Sequence, residues 1–120
     1  MIIGIGIDIV ELNRIEDVLN RQPKFVDRIL TDSEKNTYLT LSNRRKIEFL
    51  AGRFAAKEAF VKAVGTGISA SYSWRDIEVK KEANGKPYVI ASGLTDQVHL
   101  SISHSKMYAV AQVLIESLSS

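Results

Sequence analysis

Between Ser42 and Gly65 the chain carries a long helical segment that is apolar on two sides, and the other elements have to be built around it. Ser42 and Asn43 offer the N-terminal cap, and Gly65 supplies the C-terminal stop. At about 100° per residue, Ile47, Leu50, Ala51, Phe54, Ala55 and Val61 form one apolar stripe. Phe49, Phe60 and Val64 project roughly opposite, interleaved with Arg53 and Lys57. A helix of this kind is sandwiched, either within the fold or between subunits. In a chain of only 120 residues, little is left to cover both sides, so a subunit contact is expected.

The remaining elements follow from local signals. Residues 2–10 are a continuous, isoleucine-rich run that suits a buried strand. Residues 11–21 suit a helix, which Pro23 ends or restarts. Thr31-Asp32-Ser33-Glu34 has the capping-box pattern, so a helix is predicted from there to Leu41. Beyond the long helix the period changes. Ile77 to Lys80 alternates, Asn84-Gly85 supplies a tight hairpin turn, and Tyr88 to Ile90 resumes the strand. Val98 to Ser103 alternates again, and Tyr108 to Ile115 is a last apolar run. The predicted order is one strand, three helices with the last one long, then antiparallel strands. That is an α+β fold, expected to form a single domain over residues 1–120.

Composition narrows the function. With 45% apolar residues the chain is globular rather than disordered. It has no cysteine, which rules out disulfides and thiolate zinc sites and fits a reducing compartment. The N-terminal apolar run is short, lacks a basic start and ends in acids, unlike a secretory signal. No stretch is long enough to span a bilayer. A soluble, cytoplasmic protein without a membrane partner is expected. A net charge of +2 is too small to argue for a nucleic-acid partner. Eleven of the sixteen basic residues nevertheless fall between Arg14 and Lys62. They form either a salt-laced helical surface or one that meets phosphates or an acidic protein.

Two carboxylates stand out against this background. On the first strand Ile3, Ile5, Ile7 and Ile9 share one face, read as core, while Gly4, Gly6 and Asp8 share the other. Paired glycines in a strand mark a place where something approaches the backbone closely. Asp8 either faces whatever fills that gap or simply caps the following helix. Glu58 lies about 20° from the Ile47 direction, near the centre of an apolar stripe. A buried carboxylate is costly unless it is paired or binds a metal. Lys62, one turn on, offers an i,i+4 pair; alternatively Asp8, Glu58 and Lys62 together make a phosphate and Mg²⁺ site. Gly65-Thr66-Gly67 reads equally as an anion-binding turn or as a C-cap. His99 shares a face with Ser101 and Ser103, and His104 ends that strand. Nothing in their spacing makes the two histidines metal ligands.

Gly4-Ile5-Gly6-Ile7-Asp8, followed by Arg53-Phe54-Ala55-Ala56-Lys57-Glu58-Ala59-Phe60-Val61-Lys62-Ala63, resembles the signature of the holo-acyl-carrier-protein synthases. These belong to the 4′-phosphopantetheinyl transferase superfamily. Gly65-Thr66-Gly67, Asn84-Gly85-Lys86-Pro87 and His99-Leu100-Ser101-Ile102-Ser103-His104 also resemble family segments, in the expected order. The resemblance implies transfer of 4′-phosphopantetheine from coenzyme A to a serine of apo acyl carrier protein, in support of fatty acid biosynthesis. It implies a homotrimer with coenzyme A at each subunit interface, and Mg²⁺ held by Asp8 and Glu58. Lys62 is implied as the pyrophosphate contact. Gly65, Thr66 and Gly67 with Asn84, Gly85, Lys86 and Pro87 are implied as the coenzyme pocket. Arg45, Arg53 and His104 are implied as contacts to the nucleotide phosphates. The resemblance also implies that the first helix docks the acidic carrier, which gives Arg14, Arg21, Lys24 and Arg28 a partner. A non-catalytic module that binds a nucleotide or acidic protein would explain the arginines but leave Asp8 and Glu58 without a purpose. An RNA-binding protein is disfavoured by the modest charge and the lack of clustered aromatics.

Overall fold

The computed structural model describes residues 1–65 and 72–118. The elements run β1 (Ile2–Glu11), α1 (Leu12–Arg21), α2 (Phe25–Ile29), α3 (Asp32–Leu39), α4 (Asn43–Val64), a 3₁₀ turn (Trp74–Asp76), β2 (Ile77–Lys81), β3 (Pro87–Ala91), β4 (Gln97–His104) and β5 (Tyr108–Glu116). β1, β5 and β4 form an antiparallel sheet in that order, and β2 pairs with β3 as a separate hairpin.

Four helices are present where three were predicted. Pro23 has no N–H to donate, so the chain cannot continue α1 through it and starts again at Phe25. The other local signals hold. Thr31 and Glu34 complete the reciprocal capping box at the start of α3. Gly65 closes α4 in the left-handed region at φ 93°, where a side chain would be strained. Gly85 does the same at φ 88° in the turn between β2 and β3.

The face of β1 that is buried is the opposite of the one expected. Ile5 and Ile9 are 60% and 62% exposed, and Ile3 and Ile7 are likewise exposed. Gly4 and Gly6 instead lie against α4. A Cβ built on Gly4 would stand 2.0 Å from the carbonyl oxygen of Ala63, and one on Gly6 would stand 1.9 Å from that of Ala59. The facing residues of α4, Ala55, Ala59 and Ala63, recur every four positions and are buried. Small residues on both elements bring helix backbone onto strand backbone, closer than any larger pair would allow. What approaches the two glycines is therefore the chain's own helix.

The second side of α4 is also covered from within. Phe60 is fully buried and stacks edge-on against Tyr72, with ring centroids 5.2 Å apart, in a core shared with Ile77 and Val79 of β2. Phe49 is half-buried beside Tyr38 of α3. The sheet covers one flank of α4, and α3 with the β2–β3 hairpin covers the other. Much of the second apolar side of α4 is thus covered within the chain itself. The unclaimed apolar surface is the isoleucine face of β1, continued on β5 by Val110 and Leu114.

Candidate active site

The close seating of α4 on β1 determines what the next inward residue of the strand meets. After Gly4 and Gly6 that residue is Asp8, and it falls beside the stretch of α4 carrying Glu58 and Lys62. Lys62 Nζ lies 3.0 Å from Asp8 Oδ1 and donates to the Ile7 carbonyl oxygen at 3.1 Å. The lysine thus reaches across to the strand and does not pair with Glu58 along its own helix. Burial, and next the charge of Asp8, push the Glu58 carboxyl above its ordinary value, while Lys62 pulls it the other way. Two carboxylates are close enough to repel each other, and one of them already holds a cation. Glu58 is half-buried at the edge of the stripe rather than sunk in its centre.

A cavity of about 580 Å³ opens between α3, the N-terminal half of α4, the β2–β3 hairpin and the end of β4. Arg45, Arg53, Gly85, Pro87 and His104 all line it. Arg53 is 8% exposed, with its guanidinium carbon 4.1 Å from the centroid of the Phe49 ring. Its Nε is buried without a hydrogen-bond partner. Burial disfavours its charge, and Glu34 partly offsets that cost. Lys80 and Lys81 add further positive charge to the walls. Glu34, on the same wall, is neutralised by Lys57. A basic cavity with an unsatisfied arginine N–H suits a phosphate-bearing ligand.

The site residues expected from sequence divide into groups. Asp8, Glu58 and Lys62 meet at β1 and α4, and Arg45, Arg53, Gly85, Pro87 and His104 meet in the cavity. None of the first three lines the cavity. Asn84 and Lys86 sit on the hairpin turn, where Asn84 Oδ1 accepts from the Lys86 N–H at 3.0 Å, and are not part of the lining. Gly65 closes α4, while Thr66 and Gly67 lie outside the described residues. Arg14 and Arg21 are exposed on α1, Arg28 on α2, and Lys24 just before it. His99 is on the opposite face from His104, 3.0 Å from Glu116. Glu34 and the Lys80-Lys81 pair were missed as cavity residues. Glu34 had shown only its capping role, and two lysines before an Asn-Gly turn were the sole sign of a basic rim.

The family model of the 4′-phosphopantetheinyl transferase superfamily matches residues 4–115. The chain is 60% identical over 121 residues to the holo-[acyl-carrier-protein] synthase of Bacillus subtilis (strain 168), covering all of both chains. It is 62% identical over 120 residues to that of Anoxybacillus flavithermus, again with full coverage. Among solved structures it is similar to a holo-(acyl-carrier-protein) synthase from Bacillus anthracis str. Ames in complex with CoA (3′,5′-ADP). That similarity has a TM-score of 0.92 at 59% identity and covers 98% of each chain. No helix among the described residues is long and apolar enough to cross a membrane. On its sequence match, its fold and its end-to-end identity to these relatives, the chain belongs to the holo-[acyl-carrier-protein] synthases of the 4′-phosphopantetheinyl transferase superfamily.

Proposed function

We propose that this protein transfers the 4′-phosphopantetheine group of coenzyme A to a serine of apo acyl carrier protein, releasing 3′,5′-ADP, with Mg²⁺ bound between Asp8 and Glu58. The observation that carries the site assignment is the meeting of these two carboxylates with Lys62 at the seam of β1 and α4. The donor set suits magnesium, which typically takes one or two carboxylates and leaves its other positions to water and phosphate oxygens. Among the described residues no third histidine or carboxylate joins them. A bound Mg²⁺ would supply charge neutralisation at the pyrophosphate.

The chain's own residues have separate tasks. The basic cavity holds the nucleotide phosphates through Arg45, Arg53 and His104, fixing the coenzyme before reaction. The carrier serine attacks the β-phosphorus on the pantetheine side, its bond to the bridging oxygen breaks, and 3′,5′-ADP departs. Such a transfer depends on positioning and charge neutralisation more than on an enzyme nucleophile. Lys62 offsets the charge that grows on the leaving phosphate. The serine proton passes to Glu58 directly or to a neighbouring water. Arg14, Arg21, Lys24 and Arg28 offer the acidic carrier a surface of opposite charge.

A homotrimer with shared sites belongs to the same reading. It is supported by the exposed isoleucine face of β1, a long apolar strip of the kind that marks an interface. It is further supported by the separation within one protomer of the carboxylate pair from the basic cavity. A cytoplasmic role in fatty acid biosynthesis completes the reading. The test is to incubate the protein with coenzyme A, Mg²⁺ and apo carrier, then weigh the carrier intact. A gain of one phosphopantetheine, lost on chelation, is expected; an unmodified carrier overturns the proposal.

A further inference from the structure

Lys62 is the only residue whose side chain makes an ion pair with Asp8 among the described residues, and the two partners differ in freedom to move. The Asp8 side chain is 15% exposed, held on a strand whose neighbouring glycines are pinned under α4. The Lys62 side chain is 52% exposed, with its ammonium at the end of a flexible four-carbon stem, in the last turn of its helix. A divalent cation approaching Asp8 meets an ammonium already within hydrogen-bond distance of Oδ1. Two positive charges held at contact distance on one carboxylate repel each other strongly. The carboxylate is fixed and the lysine is mobile, so the lysine is the group that yields.

We infer that Lys62 is a placeholder for the divalent cation: its ammonium occupies Asp8 in the metal-free enzyme and is displaced when the cation binds. This inference rests on the reading of Asp8 and Glu58 as the metal ligands. It gives the lysine two successive partners. Before the cation arrives, it cancels the charge of one member of a repelling carboxylate pair and keeps the site formed. After displacement the same ammonium is free, one turn from Glu58, to meet a phosphate oxygen of the substrate. The enzyme then does not leave both carboxylates unpaired while it waits for the cation.

Two consequences distinguish this role from a simple phosphate contact. Metal affinity without substrate must be reduced by the competition, because binding the cation requires breaking the Lys62–Asp8 pair. Neutralising the lysine must therefore strengthen metal binding even as it removes a group that serves the reaction. A lysine that only contacts phosphate would leave the substrate-free metal affinity unchanged.

Direct titration with Mn²⁺, followed by the free-ion electron paramagnetic resonance signal in the absence of coenzyme A, reads this without any turnover. Lys62→Met is expected to bind Mn²⁺ about tenfold more tightly than wild type, Lys62→Arg within a factor of about two, and Asp8→Asn to lose binding. Thermal melting establishes that each variant is folded. Should Lys62→Met not fold, the Lys62 side-chain amine resonance of the wild type serves instead, and it must shift on saturation with Mg²⁺. Equal or weaker Mn²⁺ binding by Lys62→Met, with Asp8→Asn still losing it, overturns the placeholder and leaves the metal site standing. Binding unchanged by Asp8→Asn overturns both.

Discussion

Lys57 Nζ lies 2.7 Å from Glu34 Oε1, with both side chains almost completely shielded from solvent. The ammonium also donates to the carbonyl oxygens of Ile29 at 2.7 Å and Trp74 at 3.2 Å, which uses all three of its N–H bonds. The carboxylate in turn accepts from the backbone N–H of Thr31 and of Val79. One buried pair therefore ties α2, α3, α4, the 3₁₀ turn and β2 together behind the basic cavity. A buried pair whose remaining donors and acceptors are satisfied is costly to break from one side, since a lone charge is left without water. Lys57→Met is expected to cost about 3–5 kcal/mol in urea unfolding. Adding Glu34→Leu to that variant should cost less than Glu34→Leu does in the wild type, because the stranded charge is already gone. Strict additivity of the two losses would show that the pair has no such coupling.

Gly6→Ala places a methyl group where the Ala59 carbonyl oxygen already is. Both atoms belong to backbone-anchored positions, so no side-chain rotation relieves the overlap. A loss of about 3 kcal/mol is expected. Transfer activity should fall with it, because moving α4 off β1 separates Glu58 from Asp8. A variant that unfolds at the wild-type denaturant midpoint would mean the two elements do not touch as described.

Ile7→Lys puts a charge in the middle of the exposed face of β1, opposite Gln112 of β5. Light scattering should then report monomers in place of the proposed trimer, with the circular dichroism of the fold retained. Activity should be lost in the isolated variant if the site is shared. A wild-type monomer at micromolar concentration would remove the trimer from the proposal.

Glu58 adds its own pH dependence to the stability of the metal-free protein. Its carboxyl is held above the ordinary 4.5, first by burial and then by Asp8. A raised value means that the folded state holds this proton more tightly than the unfolded chain does. The resulting stability is fully present below 4.5 and is lost as pH rises through the folded value. At neutral pH the ionised carboxylate is therefore a liability in the absence of metal. Glu58→Gln should melt higher than wild type at pH 7 in chelator, and the difference should close as pH falls below 4.5. Equal melting temperatures at both ends would contradict the assigned environment.

Arg14→Ala and Arg21→Ala should raise the KM for carrier protein while leaving the KM for coenzyme A and most of kcat unchanged. Both residues are exposed and belong neither to the Asp8–Lys62 pair nor to the cavity lining, so they act on encounter and orientation. Added salt should weaken carrier use by the wild type in the same way. An unchanged carrier KM in both variants, with no salt effect, would make the first helices a merely solvated surface.

Signals that act over a few residues were legible without the fold. Thr31 with Glu34 begins α3, Gly65 ends α4, and Asn84-Gly85 turns the β2–β3 hairpin, because caps and tight turns are decided by neighbours three or four positions away. Asp8, Glu58 and Lys62 were legible as chemistry out of place: two acids and a base beside apolar or glycine positions. Which groups these elements would bury was not legible. Alternation divides β1 into an isoleucine face and a glycine face but does not say which turns inward; the alanine ridge of α4 decides that, since only glycine lets it come so close. Glu58 and Lys62 have ideal spacing for a helical pair, yet Asp8, 54 residues away in sequence, takes the lysine. Lys57 read as one more surface cation until Glu34, 23 residues earlier, met it in the interior. Local pattern sets what each segment can be, whereas burial and ion pairing depend on segments brought together by packing, and only the tertiary structure contains that information.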